Sequence, residues 1–293
     1  MTHPLLPRLR PDPIPALHPL PEYLVDGERA TAYAAMKQAL QVPWMGVVTM
    51  AYAHYPTFFR ALWQGLEPIV LSASFVEHCR EVRVQAEKAV LSLQPKSLAP
   101  TLRELGYAPR ELDAIRELLE VFSHGNQPYL LIASITRLLL EGGELDGIGD
   151  ATPFEGRHGP LPGASLVLME AHHADAPTRA LYADIQRTLG LPFVNTDYRA
   201  LARWPSYFRA AWQRLSPHVQ SDTYRRICDA LHAAVLDRVA HALPNPARLR
   251  GQALREAAAA DTPLPEIVAM ARLFQWLLPG LITNVAFLRA QLA

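Results

Sequence analysis

The chain has 293 residues, half of them hydrophobic and 19% charged, with 28 basic and 28 acidic side chains and no formal net charge. That balance argues against a basic nucleic-acid surface or a polybasic membrane patch, and the length is enough to bury a large core. The N-terminus lacks the basic-then-apolar pattern of a signal peptide. The only cysteines, Cys79 and Cys228, cannot make a disulfide framework and are expected as two buried free thiols of a reducing cytoplasm.

Residues 1–26 form a proline-rich arm, with Pro4, Pro7, Pro11, Pro13, Pro15, Pro19 and Pro21. Proline fixes φ and removes backbone donors, so the arm is expected to be extended, either lying across the protein surface or fraying as a tail. From Gly27 the apolar spacing is helical: Ala30 to Leu40, ended by Pro43; a short helix from about Met45 to Ala53; and Thr57 to Leu66, opened by Pro56. Two amphipathic runs follow, about Ser72 to Leu93 and Arg110 to Phe122. Residues Gly125 to Pro128 are expected to interrupt the helical pattern, and an apolar helix, Tyr129 to Leu140, follows. The Gly- and Pro-rich stretch 142–163 reads as a linker between a first unit, 27–141, and a second, 164–293. The longest uncharged run, Leu273 to Leu288, is short for a bilayer span and reads as a buried core helix broken at Pro279-Gly280. No useful strand-like alternation occurs, so the expected fold class is all-α.

The two units repeat each other. Residues Tyr33 to Cys79 align without gaps on Tyr182 to Cys228: Tyr33-Ala34 on Tyr182-Ala183, Pro43 on Pro192, Phe59-Arg60-Ala61 on Phe208-Arg209-Ala210, and Trp63-Gln64 on Trp212-Gln213. The period is too long for a solenoid and suggests two tandem helical repeats packed as an intramolecular pseudo-dimer. Arg60 and Arg209, and the two cysteines, match across the copies, which favours structural roles for them.

A site needed only once is expected where the copies differ. Trp44-Met45-Gly46-Val47-Val48 in the first copy becomes Phe193-Val194-Asn195-Thr196-Asp197 in the second. Val48 reads as a core position, so Asp197 is expected to point inward, and a buried carboxylate needs a partner or a purpose. Asn195 also reads as a helix N-cap with Asp197 in the first turn, a compatible alternative. Near the end of each copy, Phe122 to Tyr129 carries Ser123, His124, Gly125, Asn126 and Gln127, where the second copy, from Phe274 to Pro279, is apolar. Asn126 and Asp197 could therefore meet between the halves, with Trp44, Phe193, Phe274 and Trp276 as walls; alternatively Gly125-Asn126 is a plain turn. His124 reads as a turn residue or a water-orienting base.

These same residues resemble the group I 2-haloacid dehalogenases, an all-helical family with an internal pseudo-dimer. The resemblance rests on Val42-Pro43-Trp44, Tyr55-Pro56 with the following aromatic-Arg-Trp segment, Phe122 to Tyr129, and Asp197 with Trp204-Pro205 downstream, and covers nearly the whole chain after the arm. It implies hydrolysis of 2-haloalkanoic acids to 2-hydroxy acids. Asp197 would activate a water for direct attack on the halogen-bearing carbon without a covalent ester, and Asn126 would hold that water. Trp44, Val47, Tyr129, Asn195, Thr196 and Phe274 would line the substrate. It implies no cofactor and no metal, a small halogenated acid as partner, and a homodimer in the cytoplasm. Ser123 and Gln127 depart from the family pattern. Asn195 stands where a small residue is expected and Val47 where an aromatic wall is expected, which leaves substrate size and handedness open.

No Walker loop, dinucleotide glycine motif, nucleophile elbow or zinc-protease histidine pair is present. The segments around Leu191-Pro192 and Trp204-Pro205 also resemble the alkylhydroperoxidase and carboxymuconolactone decarboxylase superfamily, whose peroxidase branch needs a Cys-x-x-Cys pair this chain lacks. A non-catalytic small-acid-binding module is the third reading.

Overall fold

A computed structural model describes residues 6–161 and 166–293; the first residues of the arm and the expected junction at 162–165 lie outside them. Among the described residues there is no β-strand, only an isolated bridge between Ser72 and Pro153. The first half carries α1 (Gly27–Leu40), α2 (Val47–Tyr52), α3 (Pro56–Val70), α4 (Ala73–Ala89), α5 (Ala99–Glu104) and α6 (Pro109–Leu140). The second carries α7 (Ala176–Leu189), α8 (Thr196–Leu201), α9 (Pro205–Val219), α10 (Asp222–His241), α11 (Gly251–Asp261) and α12 (Leu264–Ala290).

Local chemistry explains the boundaries. Pro56 and Pro205 take the first position of α3 and α9, where a missing N–H costs nothing. Ser72 and Ser221 cap α4 and α10 by accepting from the N–H groups of Phe75 and Tyr224, both at 3.2 Å. α1 and α7 end on left-handed residues, Gln41 and Gly190. Glycine adopts that conformation freely. Gln41 is fixed there by its side chain, whose amide donates to Gly156 O at 2.9 Å while its Oε1 accepts from the N–H groups of His158 and Gly159. The glutamine thus ties the segment after α6 to the end of α1.

The two longest helices, α6 and α12, run antiparallel through the core. At one end Gln275 accepts from Arg137 at 2.6 Å and donates to Ser134; at the other Arg289 donates to Ser123 Oγ at 3.0 Å. Both helices pass through a proline. Gly125 to Pro128 does not interrupt the helix as expected but lies inside α6, and Pro279-Gly280 does not break α12. A mid-helix proline sacrifices one hydrogen bond and clashes with the preceding turn, typically costing about 3 kcal/mol. Here every residue of α6 from Gly125 to Leu140 is buried, and apolar burial outweighs that local preference. α12 is long and apolar enough to cross a membrane, but 89% of its apolar window is buried inside the protein, as a core helix requires.

The arm is tied down from Leu6 onward. Leu6 is buried, its carbonyl bonds His232 Nε2 at 2.7 Å, and the carbonyl of Pro7 accepts from Arg137. Arg8 reaches Trp276 O and Asp229, and Leu20 bonds Met50 and Tyr33 through its backbone. Both cysteines are free; Cys228 is buried as expected, whereas Cys79 is only half-buried.

Candidate active site

α8 has six residues, five of them buried, and its start sets the geometry of the site. Tyr198 stacks on Phe208 with centroids 6.1 Å apart, meets Trp212 edge-on, and receives the Asn284 amide on its hydroxyl at 2.8 Å. With Tyr198 held on one side, Asp197 projects on another, toward the middle of α6. There Asn126 donates its amide to Asp197 Oδ1 at 2.8 Å, and both side chains are buried. Asn195 occupies the N-cap position but makes no side-chain cap bond, so its amide is free for other work.

Burial pushes the Asp197 carboxyl up to about 6, against the downward pull of Asn126 and of the backbone at its own helix start. A carboxylate that ionises near neutrality, accepts one fixed amide bond and keeps its second oxygen available has the properties of a general base for water.

Close approach of Trp44 to α6 depends on Gly125. A Cβ there would lie 2.3 Å from the Trp44 ring, which also meets Phe122 edge-on at 5.1 Å. No described acceptor takes the indole N–H of Trp44. Tyr129 lies one turn further along α6. Its hydroxyl accepts from Gly46 N at 2.8 Å and donates to Trp44 O at 3.2 Å, so it positions the Trp44 loop through backbone bonds. Gly46 is needed there because a Cβ would overlap the Tyr129 ring.

In the second half the sizes are exchanged. Asn195 stands at the helix start where the first half has Gly46, and Gly280 follows Pro279 where Tyr129 follows Pro128. A cavity of about 230 Å³ lies at that place, with Asn195, Tyr198, Leu277, Gly280, Leu281 and Asn284 on its wall and Arg8 and Trp276 at its side. Pairing along α6 and α12 puts Asn284 level with Asn126, and Asn195 and Tyr198 flank Asp197 in sequence. Neighbours of the pair thus stand on the cavity wall, although neither Asn126 nor Asp197 does. A much wider groove of about 1770 Å³, with Trp44, Val121, Ala200, Trp204 and Arg289 on its sides, opens nearby. Its volume far exceeds the range of about 300–1,000 Å³ usual for small-molecule sites, whereas the cavity falls a little below it, so the cavity is the closer fit to a small acid.

The other expected site residues are placed as follows. Thr196 is buried at the first position of α8, beside Asp197, and Val47 is half-buried at the first position of α2. Phe274 packs edge-on to Tyr52, next to the Gln275 contacts with Ser134 and Arg137, roughly 12–16 Å along α6 from Asn126. It is not brought to the pair. His124 bonds Leu40 O at 2.9 Å and faces His158, away from Asp197. Sequence reasoning missed the cavity and its polar rim, Arg8, Tyr224 and Asn284. The signal that could have found it was the exchange of Tyr129 for Gly280 after matched prolines.

No family model matches the chain. It is 48% identical over 248 residues to an (R)-2-haloacid dehalogenase of Rhizobium sp. (strain NHG3), covering 84% of this chain and 95% of that one. It is 35% identical over 286 residues to an (R)-2-haloacid dehalogenase of Pseudomonas putida, covering 94% and 92%. Among solved structures, a complex of a D-2-haloacid dehalogenase with L-LA matches at TM-score 0.89 and 33% identity, covering 97% of this chain and 99% of that one. A complex of a D-2-haloacid dehalogenase mutant with D-2-CPA matches at TM-score 0.86 and 32% identity, covering 95% and 97%. On this likeness, which spans nearly the whole length of each relative, the chain belongs to the 2-haloacid dehalogenase family.

Proposed function

We propose that this enzyme hydrolyses (R)-2-haloalkanoic acids to the 2-hydroxy acids of inverted configuration by direct attack of an Asp197-activated water. Removal of halide from a 2-haloacid is the activity of the family, and the relatives named for the R and D configurations support that hand of substrate. The observation that carries the mechanism is the buried 2.8 Å bond from Asn126 to Asp197, which fixes one carboxylate oxygen and leaves the other to a water. The water oxygen bonds to C2 as the carbon–halogen bond breaks. The halogen leaves with the bonding pair as halide, and the water's proton passes to Asp197 and then to solvent. In-line attack of this kind depends on orientation of nucleophile and leaving group.

Trp44 is the proposed halide donor through its free indole N–H, with Tyr129 as the residue that holds it there. Asn195, on the cavity wall, sets the handedness of the bound acid, and Thr196 closes the pocket beside the base. The helix spans support the internal pseudo-dimer: α1, α2 and α3 recur as α7, α8 and α9 with identical lengths. A homodimer of these pseudo-dimers, soluble in the cytoplasm, completes the proposal.

A single turnover in H₂¹⁸O with enzyme in excess tests the central step. Direct attack puts solvent ¹⁸O into the hydroxy acid in that first turnover. An unlabelled product would mean that an enzyme carboxylate oxygen had been transferred, and would replace the water mechanism with a covalent ester.

A further inference from the structure

We propose that Arg8, from the proline-rich arm, anchors the substrate carboxylate, so that the arm completes the binding pocket. The inference rests on the reading of the cavity at Asn195 and Tyr198 as the substrate site, and it supplies the charge partner that the Asn126–Asp197 pair lacks.

An acid bound in that cavity must hold its carboxylate against something, because an unpaired charge is costly to bury. Besides Arg8 the cavity lining carries one other charged side chain, Arg225, which is largely exposed and already paired with Asp222; the rest is neutral, with leucines, Asn195, and a hydrogen-bonded chain in which Tyr224 donates to Asn284 and Asn284 donates to Tyr198. Arg8 brings a guanidinium to its side. Nε donates to Trp276 O at 3.0 Å and Nη1 to Asp229 at 3.1 Å, and the group lies 6.0 Å from the centre of the Trp276 ring. Nη2 has no acceptor among the described residues. It stands 4.0 Å from where a Cβ on Gly280 would be, at the cavity wall.

The two occupied nitrogens orient the fork, and the third faces the space in which the acid would lie. The arm itself is fixed by neighbouring contacts, Leu6 O to His232 and Pro7 O to Arg137, so the guanidinium is held in place before substrate arrives. Asp229 lies on the solvent side, its side chain 59% exposed against 14% for Arg8, and so competes weakly with a buried carboxylate.

The test compares Arg8→Gln, Arg8→Lys and Asp229→Asn by steady-state halide release from (R)-2-chloropropionate. Arg8→Gln is expected to raise KM at least tenfold with kcat within about threefold, Arg8→Lys to recover part of that loss, and Asp229→Asn to leave KM unchanged. Equal KM increases in Arg8→Gln and Asp229→Asn would reduce Arg8 to a tether for the arm, and an unchanged KM in Arg8→Gln would remove it from recognition. Calorimetric titration of Asp197→Asn protein with propionate and propionamide separates this proposal from the role of the base. Preference for propionate, lost on adding Arg8→Gln, supports the anchor whatever Asp197 does; equal affinity for the two overturns it. Should Arg8→Gln fail to fold, a crystal of the Asp197→Asn protein soaked with (R)-2-chloropropionate decides. A carboxylate within hydrogen-bond distance of Arg8 Nη2 upholds the proposal, and one placed elsewhere refutes it.

Discussion

Gly280 follows Pro279 in α12 as Tyr129 follows Pro128 in α6, and the cavity lies against the glycine. One helix fills the space beside the start of a short helix with a phenol ring; the other leaves it open. That exchange is where the two helices differ most in shape, and it sets up the first of four tests.

Gly280→Ala should raise KM for 2-chloropropionate several-fold, with a larger effect on longer 2-haloacids. The added methyl would stand 3.1 Å from the Tyr224 hydroxyl, close enough to push the phenol by a few tenths of an ångström and narrow the cavity. Replacing a helix-interior glycine by alanine gains about 1 kcal/mol of propensity, so thermal stability should change little or rise. Kinetics across chain lengths, with a melting curve for each variant, would check this. Unchanged KM for every acid would mean that the cavity is not where substrate binds.

Asp197→Asn should lower kcat by about 10²–10⁴, the usual contribution of a general base, or below detection. The same variant should be more stable than wild type at neutral pH. The carboxyl is raised in the folded state to about 6 from 3.8, and about two units correspond to roughly 3 kcal/mol held against the charged folded form. Below pH 4 both states carry the proton and this penalty vanishes. Between about pH 4 and 6 the unfolded state ionises first and stability falls, and above about 6 the penalty is constant. Urea titrations should therefore show the variant's advantage at pH 7.5 and its disappearance near pH 3.5. An inactive variant that is also less stable at pH 7.5 would mean that the loss of activity owes something to the fold.

The pH profile of kcat/KM should fall about tenfold per unit below a pKa near 6, as Asp197 takes up its proton. Asn126→Ala removes the bond that holds this value down, so the acid limb should move to higher pH while kcat drops. A limb that stays in place would separate Asn126 from the base.

Gly125→Ala should displace the Trp44 ring. Its Cβ would sit 2.3 Å from a ring carbon, and the ring cannot retreat without opening its contacts with Phe122 and Tyr129. Overpacking of this kind typically costs about 1–3 kcal/mol. Tryptophan fluorescence should shift and halide release should slow; wild-type values in both would show that the loop accommodates the methyl at no cost.

Much of the fold was legible in the chain because its signals are local. The 3.6-residue apolar spacing and Pro56 at a helix start, matched by Pro205 in the second copy, each act within one or two turns. The expected helix break at Gly125 to Pro128 failed for the complementary reason. Glycine, asparagine and proline disfavour a helix locally, but Gly125 is there to admit Trp44, and the burial that keeps α6 continuous comes from residues far away in sequence. The break expected at Pro279-Gly280 failed in the same way.

By itself the sequence determined the all-helical class, the repeated order of elements and the chemical oddity of Asp197, since each follows from residue type and spacing or from setting one copy beside the other. Only the tertiary structure decided that Asn126 bonds Asp197, that Tyr129 serves a backbone loop, that Phe274 lies apart, and that Arg8 reaches a cavity from the far end of the chain. Those facts depend on how α6, α8, α12 and the arm pack in three dimensions. Packing direction is fixed by the shapes and burial of many distant side chains at once, which spacing along the chain does not encode.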